Sequence, residues 1–143
     1  MSLGRPPAPT ALSARSRGGL WVAGKADVTS SVILVVGALV SGLSFLYYGF
    51  RVLFQDAAKG EFERYGMPAV RQVVGLLEVL GGTAVILGLA FAPLGAFAAV
   101  GLTTLMVLGL IVRVRIHDAV RLMVPAALLG ALNVVLAVLF LSA

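Results

Sequence analysis

Four long apolar runs dominate the sequence and constrain its fold more than any other feature. They cover about residues 28–50, 69–91, 94–112 and 122–141. Each is close to the roughly 20 residues that a helix needs to cross a hydrocarbon core about 30 Å thick. A chain in lipid has to satisfy its own backbone hydrogen bonds, and a helix does so within one segment. The sequence therefore predicts an all-α fold, a membrane-spanning antiparallel four-helix bundle.

The composition also indicates that lipid is the solvent of this chain. Of the 143 residues, 60% are hydrophobic and 12% are charged, whereas a soluble domain has about 45–50% apolar and about 25% charged residues. A chain this short cannot bury such an excess in one aqueous core. We therefore expect a multi-pass protein of the cell inner (plasma) membrane, with membrane lipid as a partner.

The net charge of +5 does not indicate a nucleic-acid partner, because the basic residues lie in the N-terminal segment and at the ends of the apolar runs. Membrane proteins carry basic residues at these places, next to lipid head groups. Residues 1–27 are rich in Pro, Ser, Gly and Arg, which predicts a disordered basic tail. Residues 28–143 then form the domain that contains the four spans.

The residue types exclude several kinds of chemistry. Cysteine is absent, which excludes disulfides and a thiolate nucleophile in this chain. The single histidine, His117, cannot supply both ligands of a bis-histidine haem. We predict no metal site and no covalently bound cofactor, and we assign no catalytic residues. A non-catalytic or accessory subunit is favoured over a stand-alone enzyme.

Glu78 is the most informative polar residue, because it lies inside the apolar run of the second span. A charged side chain near the bilayer centre costs about 3 kcal/mol on insertion scales. Arg71, Gly75 and Gly82 lie on the same helical stripe as Glu78. A carboxyl group among glycines is expected to face another helix rather than lipid. An acid at this depth is a functional-site hypothesis by default.

Hydrogen-bonding side chains on the other three spans fall near the depth of Glu78 if successive spans run in opposite directions. Tyrosine, arginine and histidine side chains lie between this layer and the longer connections. The pattern predicts a polar pocket that opens toward residues 51–68 and 113–121. The candidate ligand-binding residues are Glu78, Asn133, Thr103, Thr104, Ser44, Tyr47, Arg71 and His117.

Most of these candidates also have a purely structural interpretation. Asn133 and the Ser and Thr side chains can join helices through hydrogen bonds. His117 at a membrane edge can be solvated. Its neighbour Asp118 has Arg115 and Arg121 three residues away on either side, and we expect it to pair with one of them.

Several motifs together point to a known family. They are Tyr65-Gly66-Met67-Pro68 before the second span, Gly75-Leu76-Leu77-Glu78 followed by Gly81-Gly82, Pro93 at a turn, the His117-Asp118 pair, and Pro125 at the start of the last span. Over about residues 30–140 the chain resembles the DoxX-like family of small bacterial membrane proteins. The resemblance implies a four-helix membrane bundle. It also implies links to quinol oxidase, to thiosulfate oxidation or to complexes with oxidative-stress enzymes, which are known for some members.

Three functions are open at this point. The favoured one is an accessory subunit of a membrane redox complex, with a pocket around Glu78 for a quinone or another lipid-soluble ligand and with an oxidoreductase partner subunit. The second is a small proton-coupled transporter that uses Glu78, in which case a homo-oligomer is expected. The third is an assembly or chaperone subunit that binds no ligand.

Overall fold

The structure, a computed structural model, describes residues 11–143, with side chains described from Gly24 onward except Ala26. This part of the chain forms five α-helices, and a short 3₁₀ turn, Pro68–Val70, precedes the third. The helices are α1 (Ala11–Phe54), α2 (Asp56–Arg64), α3 (Arg71–Leu87), α4 (Ala92–Arg115) and α5 (Val120–Ser142).

Four helical segments are long and apolar enough to cross a membrane: Asp27–Phe54, Pro68–Leu87, Ala92–Arg115 and Val120–Ser142. Their bounds lie within a few residues of the predicted spans, which confirms the all-α, four-span fold class. Pro68 occupies the first turn of its helical segment, where its missing N–H costs nothing. Pro125 lies inside α5 rather than at its start, because α5 begins already at Val120.

The helical backbone of α1 begins at Ala11, so the helix includes residues 11–27, which precede the first predicted span. Residues 1–10 lie outside the described part of the chain. Helix growth is cooperative, since each residue added to an existing helix costs less than the first turn. The apolar span supplies such a helix to extend. The chain divides into two compact units after Ile33, and the helix bundle belongs to the second unit, Leu34–Ala143.

Glycines bring α1 and α3 into backbone contact. A Cβ atom on Gly82 would lie 2.8 Å from the carbonyl oxygen of Gly42, and one on Gly49 would lie 2.9 Å from that of Gly75. Small residues allow this close approach, which membrane helices use where the hydrophobic effect no longer drives association. Residue numbers rise along α1 as they fall along α3, so these two helices run in opposite directions.

Similar contacts connect the remaining helices. Gly88, the residue directly after α3, lies against Gly95 of α4, and a Cβ on Gly95 would lie 2.6 Å from the ring of Phe140 in α5. Ser41 of α1 is hydrogen-bonded to Asn133 of α5. The order of packing around the bundle is therefore α1, α3, α4, α5 and back to α1. The fully buried apolar side chains at the centre are Ala38, Phe45, Val85, Ala99 and Leu136.

Candidate functional site

A cavity of about 440 Å³ lies among the helices near the C-terminal ends of α1 and α4, and side chains from all five helices line it. Its volume is within the range of about 300–1,000 Å³ that is usual for small-molecule pockets. Most of the wall is aliphatic or aromatic. The charged residues in the wall are Arg51, Glu61, Arg64, Glu78, Arg113 and Arg121.

Glu78 lines this cavity from α3 and is only 6% exposed. Gly75 and Gly82, one turn before and after it, pack against α1, so this face of α3 points into the bundle. The Oε2 atom of Glu78 is buried and has no hydrogen-bond partner among the described residues. A buried polar atom without a partner is destabilising by about 1–3 kcal/mol. A bound molecule that forms a hydrogen bond with Glu78 would remove that penalty.

Asn133 and Ser41 form a separate pair that does not line the cavity. Both side chains are fully buried. Asn133 Nδ2 donates to Ser41 Oγ at 2.8 Å and to the Leu129 carbonyl at 2.8 Å. Gly42 of α1 faces Gly82 of α3, so Glu78 is level with Leu46 of α1. Ser41 is five residues from Leu46, which corresponds to about 8 Å along the helix axis at 1.5 Å per residue. We predicted one layer of polar side chains at the depth of Glu78. The structure instead has the Ser41–Asn133 pair at one depth and Glu78 in the cavity wall at another.

Both threonines among the candidates donate to carbonyls of their own helix α4. Thr103 Oγ1 donates to Ala99 at 2.8 Å, and Thr104 Oγ1 donates to Val100 at 2.9 Å. Thr104 is exposed and Thr103 is half-buried. Neither lines the cavity, so the structure does not bring them together with Glu78.

Arg71 is held at the end of α1. Its Nη1 donates to the carbonyl of Val52 at 2.7 Å and to that of Leu53 at 3.1 Å. The last carbonyls of a helix have no partner within it, and a cation there also complements the helix dipole. In this structure Arg71 therefore caps α1, and it lies outside the cavity wall.

The other candidates also lie away from the cavity. Tyr47 is 62% exposed, Ser44 is half-buried and His117 is exposed. Tyr48, the next residue along α1, lines the cavity instead of Tyr47, because successive helical residues point about 100° apart. Of the eight candidates, Glu78 alone is part of the cavity wall.

Asp118 connects the α4–α5 loop to α2, and its side chain is only 4% exposed. Its Oδ2 accepts hydrogen bonds from Arg113 Nη1 at 2.7 Å and from Arg64 Nη2 at 3.3 Å. The predicted pairing with Arg115 or Arg121 is therefore wrong. That prediction assumed helical spacing, but α4 ends at Arg115 and the chain turns before Asp118.

The turn before Asp118 uses a left-handed residue at the end of a helix. His117 has φ of 53°, and Asp118 N donates to the carbonyl of Arg113 at 3.0 Å. α2 ends in the same way, with φ of 72° at Gly66 and Met67 N bonded to the carbonyl of Phe62 at 3.1 Å. These are the bonds of the Schellman motif, in which glycine is the usual left-handed residue.

Tyr65 completes the cluster beside the cavity. The guanidinium carbons of Arg64 and Arg113 lie over its ring, 5.7 and 5.5 Å from the ring centroid. Its hydroxyl donates to Glu61 Oε2 at 3.4 Å. Burial raises the pKa of Tyr65, and the positive charge of Arg113 opposes this shift. The phenol is therefore a neutral hydrogen-bond donor at neutral pH.

The contribution of α2 to the cavity was not predicted from the sequence. Ala58, Glu61, Phe62 and Tyr65 all line it. Their spacing of three and four residues is typical of one face of a helix. This spacing could have predicted from the sequence that these side chains point in the same direction. In the part of the chain that the structure describes, no group of three or more His, Asp or Glu side chains is placed to hold a metal ion.

Comparison with protein families agrees with this architecture. The sequence profile of the DoxX-like family matches residues 29–141. This range includes α2, every residue of the cavity wall and the four spans, except for two residues at the start of the first span and one at the end of the fourth. Searches of curated proteins and of solved structures found no match. The chain is thus a multi-pass integral membrane protein that belongs to the DoxX-like family.

Proposed function

We propose that this protein binds a lipid-soluble, quinone-like molecule in the cavity at Glu78, as an accessory subunit of a redox complex in the cell inner membrane. The observation that carries the proposal is the buried Oε2 of Glu78, which has no partner among the described residues. Glu78 belongs to the wall of a cavity that is otherwise mostly apolar at this depth. Such a wall suits an apolar molecule with a few hydrogen-bonding groups.

The carboxyl group of Glu78 is suited to a carbonyl or hydroxyl group on the ligand. In the protonated state it donates a hydrogen bond, and in the ionised state it accepts one. Quinone reduction takes up two electrons and two protons. In this proposal Glu78 donates one proton to the bound molecule, and water supplies the second proton and reprotonates Glu78. The sequence has no cysteine and one histidine, so an oxidoreductase partner subunit would supply the electrons.

The test measures quinone binding to the purified protein in an uncharged detergent. Titration with a short-chain ubiquinone or menaquinone analogue should give saturable binding, and Glu78→Leu should weaken it about tenfold because the hydrogen bond is lost. Glu63→Gln is the matched control, since Glu63 is an exposed acid of α2 outside the cavity wall. The absence of saturable quinone binding, or equal binding by Glu78→Leu, would contradict the proposal.

A proton-coupled transporter is the second candidate, because an unpaired membrane-embedded acid is also what proton exchange requires. In liposomes that contain the protein, addition of a lipophilic cation would then release protons from the lumen. Glu78→Gln would abolish this flux, since an amide cannot exchange a proton. Quinone binding without cation-driven flux would favour the first function.

A further inference from the structure

Two arginines in the cavity wall are not neutralised. Arg64 and Arg113 bind Asp118, and Arg113 also lies 3.6 Å from Glu61. In contrast, Arg51 and Arg121 form no ion pair with any described acid. Arg51 donates through Nε to the neutral side chain of Gln55 at 3.1 Å. The wall therefore contains two guanidinium groups that are available to a ligand.

Contacts between α1 and α5 place these two arginines at one level. Ser41 of α1 is bonded to Asn133 of α5, and the two helices run in opposite directions because Gly37 lies against Leu136. Counted from this pair, Arg51 and Arg121 are offset by about two residues, or about 3 Å. They are thus on neighbouring helices, on the same cavity and at nearly the same depth.

Glu78 lies deeper than the arginines. The facing of Gly42 and Gly82 puts Glu78 at the level of Leu46. Arg51 is five residues further along α1, which corresponds to about 8 Å. The cavity therefore has two polar poles, a carboxyl group within the bundle and a pair of guanidinium groups toward the connections.

We propose that the ligand of this cavity is an anionic amphiphile whose carboxylate or phosphate group binds Arg51 and Arg121. Its apolar body occupies the cavity, and a carbonyl or hydroxyl group about 8 Å from the anionic group reaches Glu78. Guanidinium groups bind carboxylates and phosphates in bidentate geometry. This inference rests on the proposed function and adds an anionic group to the ligand proposed there, because a neutral molecule would engage Glu78 alone.

The test compares an acid with its uncharged ester. cis-Parinaric acid and its methyl ester are fluorescent and differ only in the anionic group. The wild-type protein in an uncharged detergent should bind the acid at least tenfold more tightly. Arg51→Gln and Arg121→Gln should each weaken binding of the acid about tenfold, or about 1.4 kcal/mol, and leave binding of the ester unchanged.

Arg115→Gln is the matched control, because Arg115 is exposed near the end of α4 and does not line the cavity. It should retain the preference for the acid. Equal affinities for acid and ester in the wild type would overturn the inference. So would a preference that persists in the Arg51→Gln/Arg121→Gln double variant.

The anionic group can belong to a membrane phospholipid or to a free acid. In nanodiscs of phosphatidylcholine, added phosphatidylglycerol should displace cis-parinaric acid if the source is a phospholipid, and should leave it bound if the source is a free acid. Quinone titration of the same variants keeps the two proposals separate. If quinone binding depends on Glu78 while acid and ester bind equally, only the anionic subsite is contradicted.

Discussion

Two regions of the bundle differ in whether their buried polar side chains have hydrogen-bond partners. In the closed half, defined here by Ser41, Gly82 and Asn133, the backbones are in contact and the buried polar side chains satisfy each other. In the cavity half, Glu78, Arg51 and Arg121 line a space that a ligand can fill, and neither arginine forms an ion pair with a described acid. The hydrogen-bonded polar pair of the bundle thus lies at a different depth from the polar groups of the cavity wall.

This difference has an energetic meaning. Hydrogen bonds between membrane helices contribute about 0.6 kcal/mol on average and up to about 1.7 kcal/mol, so the closed half gains stability from its polar pair. An unpaired buried acid reduces stability and persists where function needs it. Substitutions in the two halves should therefore change stability in opposite directions.

The largest effect is expected at the glycine contact of the closed half. In Gly82→Val the new Cβ would lie 2.8 Å from the carbonyl oxygen of Gly42 and 3.0 Å from the Cβ of Phe45. Backbone atoms cannot move away cheaply, so overpacking should destabilise the protein by about 3 kcal/mol. Thermal unfolding in detergent measures this loss. Gly101→Val is the control, because nothing lies within 4 Å of its new Cβ, and an equal loss there would contradict the interpretation.

Next in size is the effect of removing the unpaired acid of the cavity half. Glu78→Leu should stabilise the protein by about 2 kcal/mol, since it removes a buried oxygen that has no partner among the described residues. The same variant should bind the quinone analogue about tenfold more weakly. The melting temperature and the quinone titration together check this prediction. A lower melting temperature would show that Glu78 supports the fold and would remove the contrast between the halves.

A smaller loss of stability is expected when the hydrogen bond between Ser41 and Asn133 in the closed half is removed. Asn133→Ala removes the bond to Ser41 and should destabilise the protein by about 1 kcal/mol, while ligand affinity stays unchanged. Thr104→Val is the control, because this exposed side chain bonds only its own helix. A double-mutant cycle with Ser41→Ala isolates the pair. Weaker ligand binding in Asn133→Ala would instead place Asn133 in the site.

The sequence was sufficient for the spans and for the inward direction of Glu78, because both depend on local composition and helical periodicity. It was not sufficient for depth across helices. The prediction that the polar side chains share one depth assumed that all four spans begin at the same level in the membrane. The contacts between helices set their relative positions instead, and they put Ser41 and Asn133 at a different depth from Glu78. The Arg64–Asp118 contact joins residues 54 positions apart, and no local pattern encodes such a pair.

The smallest effect concerns His117, which has both a ligand-binding and a structural interpretation. Its φ of 53° lies in the left-handed region, where side chains with a Cβ are disfavoured and glycine is not. His117→Gly should therefore stabilise the protein by about 0.5 kcal/mol, and His117→Val should destabilise it, because β-branched residues fit this region poorly. Paired melting curves of the two variants measure the difference, and ligand affinity should be the same in both. Loss of ligand binding in His117→Gly with unchanged stability would assign the imidazole to the site and extend the cavity half to the α4–α5 loop.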